Sequence, residues 1–547
     1  VLISASFFYQ KTINLINNTL EVSVSLNWFD LSILALYAVV LVFIAYKVSR
    51  EKKGHEKNAQ DYFLASKSLP WWAVGTSLIA ANISAEQIVG MSGAGYAGGI
   101  AVASYEWMSA ITLFIVGKYF LPIFMAKGIY TMPQFLEQRY DSRVRTVMSI
   151  FWLTLYVLVN LTSIMYLGAL AVHAVTGVAM MDAMIAMAVF SFSYSIYGGM
   201  KAVAFTDVFQ VTLLVLGGLL ITYLGLDKIA ALNGGSGALE GFQALLQKAP
   251  EKFDLILDPS NPNYKNLPGL SVLLGGMWVM NFSYWGFNQY ITQRTLAAKS
   301  LQEAQKGIAL AAYLKVLMPV IVVLPGVAAA VLIPGLNPSD TAYPEMMKLL
   351  PHGLLGIVFA GLVAAICASL ASKTNSISTL FTMDIYKQII KPDASEEHLV
   401  KVGRIAATVA MVIALLVAEP LIGKSDQAFQ FIQKFTSYFT PGIVLMFLFG
   451  FFWKKATATS ALVAGISSVI LSPLMDWRFP QLPFMDRISW VFVICALMAI
   501  LVTYVLDGKN QANAIDLKGI HFKTEPVYNA AFVGVVVVLI AFYAAWW

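Results

Sequence analysis

LIAANISAEQIVG, residues 78–90, lies inside a long apolar run, yet Asn82, Ser84, Glu86 and Gln87 sit near its middle. The fold turns on what surrounds that run. Hydrophobic residues make up 59% of the 547 and charged residues 12%, with a mean hydropathy of +0.72. A soluble domain carries about twice that charge. Apolar runs of about 20 residues, the length that spans a bilayer as a helix, recur along the whole chain. The alternating pattern of an outer-membrane barrel is absent. The sequence therefore reads as an all-α polytopic membrane protein. An unpaired polar group at membrane depth is costly, so residues 78–90 need partners.

Fourteen candidate helices follow, over 28–49, 71–94, 100–126, 143–172, 181–198, 202–227, 267–293, 304–333, 353–386, 400–420, 427–453, 457–475, 486–507 and 526–547. They are numbered helix 1 to helix 14 in that order. Loops after the odd-numbered helices, with the helix ends that flank them, hold 23 Lys/Arg, and the opposite side, counted the same way with the N-terminus, holds 9. The positive-inside rule then puts both termini outside, the 48–70 loop VSREKKGHEKNAQDYFLASKSLP inside and the 228–266 loop outside. No cleavable leader stands out in the first 27 residues. Cys367 and Cys495 both lie in apolar runs and read as small core residues. The net charge of +6 has no basic cluster suited to nucleic acid.

Helix 2 is interrupted by AANISAEQ and helix 7 by VMNFSYWGFNQ, Val279 to Gln289. The two interruptions are five helices apart. Helices 2–6 (71–227) and 7–11 (267–453) then form two five-helix units. Because five is odd, the units enter the bilayer from opposite sides. Residues 1–27 form an external N-terminal segment, 28–49 a peripheral helix, 228–266 an external loop and 457–547 the peripheral helices 12–14. Paired interruptions in inverted repeats point to the central site of a transporter, where unwound backbone lines a cavity.

Other polar residues at membrane depth are Tyr105, Glu106, Ser109, Asn160, Asp207, Asn281, Ser283, Tyr284, Trp285, Asn288, Gln289, Lys315, Gln430 and Gln433. Amides, a carboxylate and an ammonium suit a ligand with many hydroxyls, since each hydroxyl both donates and accepts. Tyr284 and Trp285 offer rings for the C–H face of a hexose. Plainer roles stand beside these: Lys315 as structural partner of Glu106, Trp285 and Phe429 as packing, Gln430 as a link between helices. No HExxH, no metal-spaced histidine set, no Ser/His/Asp arrangement and no phosphate loop is present, which argues against an enzyme. A sugar-gated channel or sensor is the other reading, since sequence does not separate flux from sensing.

The strings DYFLASKSLPWWAVGTSLIAANISAEQ, ASYEWMSAITLFIVGKYFLPIF, YSIYGGMKAVAFTDVFQ, YWGFNQYITQRTLAAKS and STLFTMDIYK resemble the sodium:solute symporter family, most closely its bacterial sodium/galactose branch. The resemblance runs from about Leu31 through nearly all of the chain. It implies a five-plus-five inverted-repeat (LeuT-like) core, residence in a bacterial inner membrane and sodium-driven uptake of galactose or glucose by alternating access. Partners would be a hexose, sodium and the lipid bilayer, with no organic cofactor. The family's sugar contacts fall on Gln87, Glu106, Ser109, Asn281, Lys315 and Gln433. Its inner gate falls on Tyr284, with Trp285 beside it and Met91 and Phe429 as outer lids.

At the ion the resemblance breaks. The family's sodium ligands fall on the carbonyls of Ala80, Ile83 and Ala365 and on two adjacent serines of helix 9. Here AAICASLASKTNS places Ala368 before Ser369 and Lys373 one turn on, while the acidic residue near the ion path is kept as Asp207. Two readings compete. In the favoured one sodium still binds and Lys373 snorkels to the cytoplasm. In the other Lys373 pairs with Asp207 as a tethered cation, and transport is sodium-independent or proton-linked.

Overall fold

Long apolar runs broken at two polar stretches dictate helices that stop and restart inside the bundle, and the computed structural model shows this. It describes residues 26–49, 67–129, 131–195, 200–425, 427–506 and 508–547. Most of the N-terminal segment, the basic stretch 50–66 and residues 196–199 of the YSIYGGM string lie outside the described residues. The described parts of the fourteen candidate segments fall on helices, several of them broken into shorter pieces. Among the described residues, nine helices are long and apolar enough to cross a membrane, or ten if Ala428–Thr436 and Thr440–Phe452, bent by 47°, count as one span.

Helix 2 begins at Trp71 and stops at Asn82. Ile83 is extended (φ −70°, ψ 103°), and the chain restarts as a wide π-turn at Glu86–Gly90 that runs into Met91–Gly98. The Gln87 amide, which a continuous helix would give to Ile83, bonds to the Ser84 carbonyl at 3.1 Å instead. Helix 7 breaks into Leu270–Leu274, Gly276–Asn281 with a π-turn at Phe282–Gly286, and Gln289–Leu296. Its second break is at Asn288, also extended (φ −79°, ψ 127°). The helix 2 break and the second break of helix 7 fall inside the stretches that the sequence marks; the first break of helix 7, at Gly275, lies before its stretch.

Two features depart from the sequence reading. The 228–266 segment is not a plain loop, because it carries the helix Ala238–Lys248. It also closes the end of helix 2: Lys252 Nζ donates to the carbonyls of Tyr96 (2.9 Å) and Ala97 (2.8 Å). An ammonium there satisfies the last carbonyls of Met91–Gly98 and suits the negative end of that helix. Burial pulls the Lys252 pKa below its ordinary value, partly opposed by the neighbouring Glu251. The second departure is helix 11, which the sequence reads as one span and the structure bends between Thr436 and Thr440.

Helix 8 (Leu301–Met318) packs along the first half of helix 2. Two glycines set that closeness. A Cβ added at Gly75 would lie 2.6 Å from the Gly307 carbonyl oxygen, and one at Gly307 would lie 2.8 Å from the Trp71 carbonyl oxygen. Small residues let helix backbones approach, and in a membrane packing of this kind carries much of the association.

Gly75→Ala should therefore force the two helices apart and cost about 1–3 kcal/mol. Gly361→Ala is the control, since its added Cβ would meet Leu213 at an ordinary 3.6 Å. Thermal unfolding of the purified protein should fall for the first variant and stay unchanged for the second.

Candidate functional site

The two breaks face one cavity. Helix 2 contributes Asn82, Glu86 and Gln87, helix 3 Tyr105, Glu106 and Ser109, and helix 4 Trp152, Leu155 and Asn160. Helix 7 contributes Met280, Asn281, Ser283, Tyr284, Trp285 and Asn288, and helix 11 Phe429, Ile432, Gln433, Thr436 and Thr440. Three π-turns carry wall residues: Glu86–Gly90, Leu155–Leu161 and Phe282–Gly286. A π-turn inserts a residue into the helical repeat and turns its side chains off the regular face, which is why such turns gather at functional sites.

The wall is held by polar side chains that bond one another. Lys315 Nζ lies 2.5 Å from Glu106 Oε2 and also donates to Asn82 Oδ1. It is 1% exposed and sits 5.0 Å from the Trp285 ring centroid. Gln87 Nε2 donates to Glu106 Oε1 at 3.3 Å. Ser109 Oγ donates to Asn281 Oδ1 at 2.6 Å, and Asn281 Nδ2 to the Met277 carbonyl at 3.0 Å. Gln87 Oε1 and Trp152 Nε1 are buried with no protein partner.

Of the six sugar contacts expected from the sequence, Gln87, Glu106, Ser109, Asn281 and Gln433 lie on the cavity wall. Lys315 stands behind the wall as the partner of Glu106, the plainer role noted above. Tyr284, Trp285 and Phe429 line the cavity, whereas Met91 is buried in the surrounding core and is not a wall residue. Gln430 accepts from Tyr105 Oη at 3.2 Å and links helices 3 and 11. The sequence did not single out the wall residues Trp152, Leu155, Met280, Ile432, Thr436 and Thr440, since nothing local distinguishes such a side chain beside a cavity from one in the core.

Tyr284 closes one side of the cavity. Its hydroxyl accepts from Asn82 Nδ2 at 3.1 Å and from Tyr290 Oη at 2.8 Å. Tyr290 lines a second, smaller cavity with Ala80, Ala81, Asp207, Arg294, Ala368, Ser369, Ser372 and Lys373. The Tyr284–Tyr290 contact thus stands between the two spaces. Ala80 and Ser369 line the smaller one; Ile83 and Ala365 are buried nearby in the core and are not among its wall residues.

Both readings of Lys373 need correction. It does not snorkel out, because its side chain is 3% exposed. It does not pair with Asp207 either. Its Nζ lies 3.7 Å from Glu86 Oε2 and 5.1 Å from the Tyr290 ring centroid. Asp207 is held by Ser77 Oγ at 2.7 Å and by Arg294, whose guanidinium lies 3.7 Å away. The reason is reach. Asp207 already has a buried guanidinium, and Glu86, turned by its π-turn, meets the ammonium from helix 9. Among the described residues no group of three or more His, Cys, Asp or Glu could hold a metal ion.

A sequence profile described as the sodium:solute symporter family matches residues 62–468. The chain is 48% identical to a sodium/glucose cotransporter of Vibrio parahaemolyticus, over 95% of this chain and 99% of that protein. It is 31% identical to sodium/glucose cotransporter 4 of Mus musculus (89% and 76%) and 33% identical to sodium/myo-inositol cotransporter 2 of Sus scrofa (83% and 71%). Its fold superposes on the substrate-bound outward-open state of a Na⁺-coupled sialic acid symporter with a TM-score of 0.74 at 22% identity, covering 88% of this chain and 98% of that one. A nucleobase-cation-symport-1 family transporter gives a TM-score of 0.52 at 14% identity, covering 84% and 98%.

Breaking a buried ion pair strands the remaining charge at about 3–5 kcal/mol. Lys315→Met should therefore lower stability by that order, which composition alone would not suggest. Lys315→Met combined with Glu106→Gln should recover most of it. Thermal unfolding of the single and double variants measures the difference.

Proposed function

The chain belongs to the sodium:solute symporter family, and from that membership we propose that it imports a neutral hexose, galactose or glucose, together with sodium by alternating access. One observation carries the sugar reading: the cavity is rich in neutral hydrogen-bonding groups, while each of its carboxylates already has an ammonium. Glu106 has Lys315 and Glu86 has Lys373. A site with its own charges matched favours a ligand without charge, since an ionic ligand would give up its hydration with no counter-charge to meet. The unpartnered Gln87 Oε1 and Trp152 Nε1 supply one acceptor and one donor for hydroxyls. Ring faces at Tyr284 and Trp285 suit the C–H side of a pyranose.

In this reading Gln87, Glu106, Ser109, Asn281 and Gln433 bind the sugar, with Lys315 holding Glu106 in place. Tyr284 is the gate toward the smaller cavity, which is the exit path. Phe429 covers the other side. Sodium binds near the break of helix 2, on the carbonyls of Ala80, Ile83 and Ala365 and on Ser369 Oγ. Carbonyl and hydroxyl oxygens suit a small hard cation. The helices would number fourteen, as two five-helix inverted repeats with flanking helices, in a bacterial inner membrane with both termini outside; the excess of Lys/Arg on one set of loops supports the orientation.

The driving force is sufficient. A sodium ion entering down a potential of about 100 mV, negative inside, gains roughly 2.3 kcal/mol. A tenfold gradient adds roughly 1.4 kcal/mol. Together, about 3.7 kcal/mol sustains a few-hundred-fold accumulation for one ion per sugar. Coupling follows if sodium favours the state that binds sugar from outside. Helices 2 and 9 meet at the ion, so its departure would loosen helix 2.

Uptake of labelled galactose and glucose into proteoliposomes, under sodium, lithium, potassium or proton gradients in turn, tests the proposal. Accumulation should require the sodium gradient, and absence of uptake of either hexose would end the reading. Gln87→Ala should cut uptake at least about tenfold in folded protein, since it leaves neighbouring polar groups unmatched at about 1–3 kcal/mol. Tyr284→Phe keeps the ring and should retain partial activity. Tyr284→Ala should abolish accumulation, and normal accumulation by that variant would place the gate elsewhere.

A further inference from the structure

The smaller cavity holds an unusual balance of charge. Its walls carry two cations, Arg294 and Lys373. Asp207, also in the wall, is taken by Arg294, with Arg294 Nε donating to Ser77 Oγ at 3.0 Å and Ser77 Oγ donating to Asp207 Oδ2 at 2.7 Å. Glu86 lines the large cavity and faces Lys373 at 3.7 Å, so it is the carboxylate at the junction of the two spaces. It also accepts from Ser163 Oγ, and its Oε2 accepts from Ser84 Oγ at 3.5 Å. Two fixed cations thus face two carboxylates. A cation entering this space would be a third positive charge with no free carboxylate, and buried like charges repel strongly because little water screens them.

The Lys373–Glu86 contact is the weaker of the two large-cavity pairs. Lys315 reaches Glu106 at 2.5 Å, but Lys373 stands 3.7 Å from Glu86, beyond hydrogen-bond length, with the Tyr290 ring as its other neighbour. Of the two large-cavity carboxylates, Glu86 is therefore the more readily exchanged between cations. Lys373 stands four residues after Ser369, one helical turn away on the same face.

We propose that Lys373 is a resident counter-cation that competes with the co-transported ion for Glu86. The ion enters the smaller cavity only as the ammonium gives up that carboxylate, so Lys373 sets a low apparent affinity for sodium. Glu86 lies at the restart of helix 2, and the exchange therefore reports ion occupancy directly to the broken helix. This inference rests on the proposed sodium-coupled uptake, and it adds a residue of this chain to the control of that coupling.

The test is the sodium dependence of hexose uptake in proteoliposomes for four variants. Lys373→Met removes the competitor and should lower the sodium concentration for half-maximal uptake by about tenfold or more. Glu86→Gln leaves the competitor without its partner and should raise it by a similar factor. The double variant should return to within about threefold of wild type. Lys373→Gln keeps a donor for Glu86 and should act like Lys373→Met if the latter does not accumulate in the membrane. A purely structural ion pair would move both single variants in the same direction, and that result would overturn the proposal. So would a Lys373→Gln variant with wild-type sodium dependence. Failure of the wild type to take up any hexose would instead remove the functional reading beneath it. Wild-type uptake indifferent to sodium, turned sodium-dependent by Lys373→Met, would uphold the competition and correct the coupling.

Discussion

The Lys315 ammonium reaches from helix 8 into the gap where helix 2 stops. There it holds Glu106 of helix 3 and Asn82 at the last turn before the break. A buried ammonium is tolerated only when its partners close around it, because desolvation otherwise outweighs the attraction. That requirement fixes three helices at one point, and the Trp285 ring 5.0 Å away brings in helix 7. The open end of helix 2 is thus braced by a side chain in place of the helical bonds it lacks. Close packing at Gly75 and Gly307 lets helix 8 stand near enough for the lysine to reach.

A second consequence is charge neutrality. Each large-cavity carboxylate is held by a lysine from another helix, and Asp207 in the smaller cavity by Arg294. The walls therefore offer direction without net charge. Neutral amides and hydroxyls bond to one another, as Ser109 does to Asn281 and Asn82 to Tyr284. A ligand with many hydroxyls can replace such bonds one for one, which keeps the desolvation cost of binding low. The hydroxyls of Tyr284 and Tyr290, hydrogen-bonded at 2.8 Å, stand between the two spaces.

The π-turns link the backbone to this chemistry. In a regular helix, Glu86 and Gln87 would follow a fixed 3.6-residue face. The turn at Glu86–Gly90 displaces that face, and Gln87 bonds to Glu106 while Glu86 meets Lys373. The turns at Leu155–Leu161 and Phe282–Gly286 do the same for Asn160 and for Tyr284 and Trp285. Such turns leave hydrogen-bonding groups displaced from the regular ladder, and they persist here because they line a cavity and not lipid.

Run length and local polarity are short-range properties, so the sequence alone determined the membrane class, the positions of the helices, the two breaks and most of the polar residues around the cavity. It placed both Glu106 and Lys315 on the sugar and offered their pairing only as the plainer alternative, which is the one the structure shows. What it did not determine was which charge meets which elsewhere. Arg294 reads as a loop charge just past helix 7, yet it is buried against Asp207. Lys373 reads as an exposed end or as the partner of Asp207, yet it faces Glu86. The helix inside 228–266 and the bend of helix 11 were equally hidden. Long side chains can reach several neighbours, and a single irregular turn redirects a whole face. Only the packed arrangement of helices 2, 7, 8 and 9 decides among those options, because the cost of leaving a buried charge unmatched is shared across segments that lie far apart in the chain.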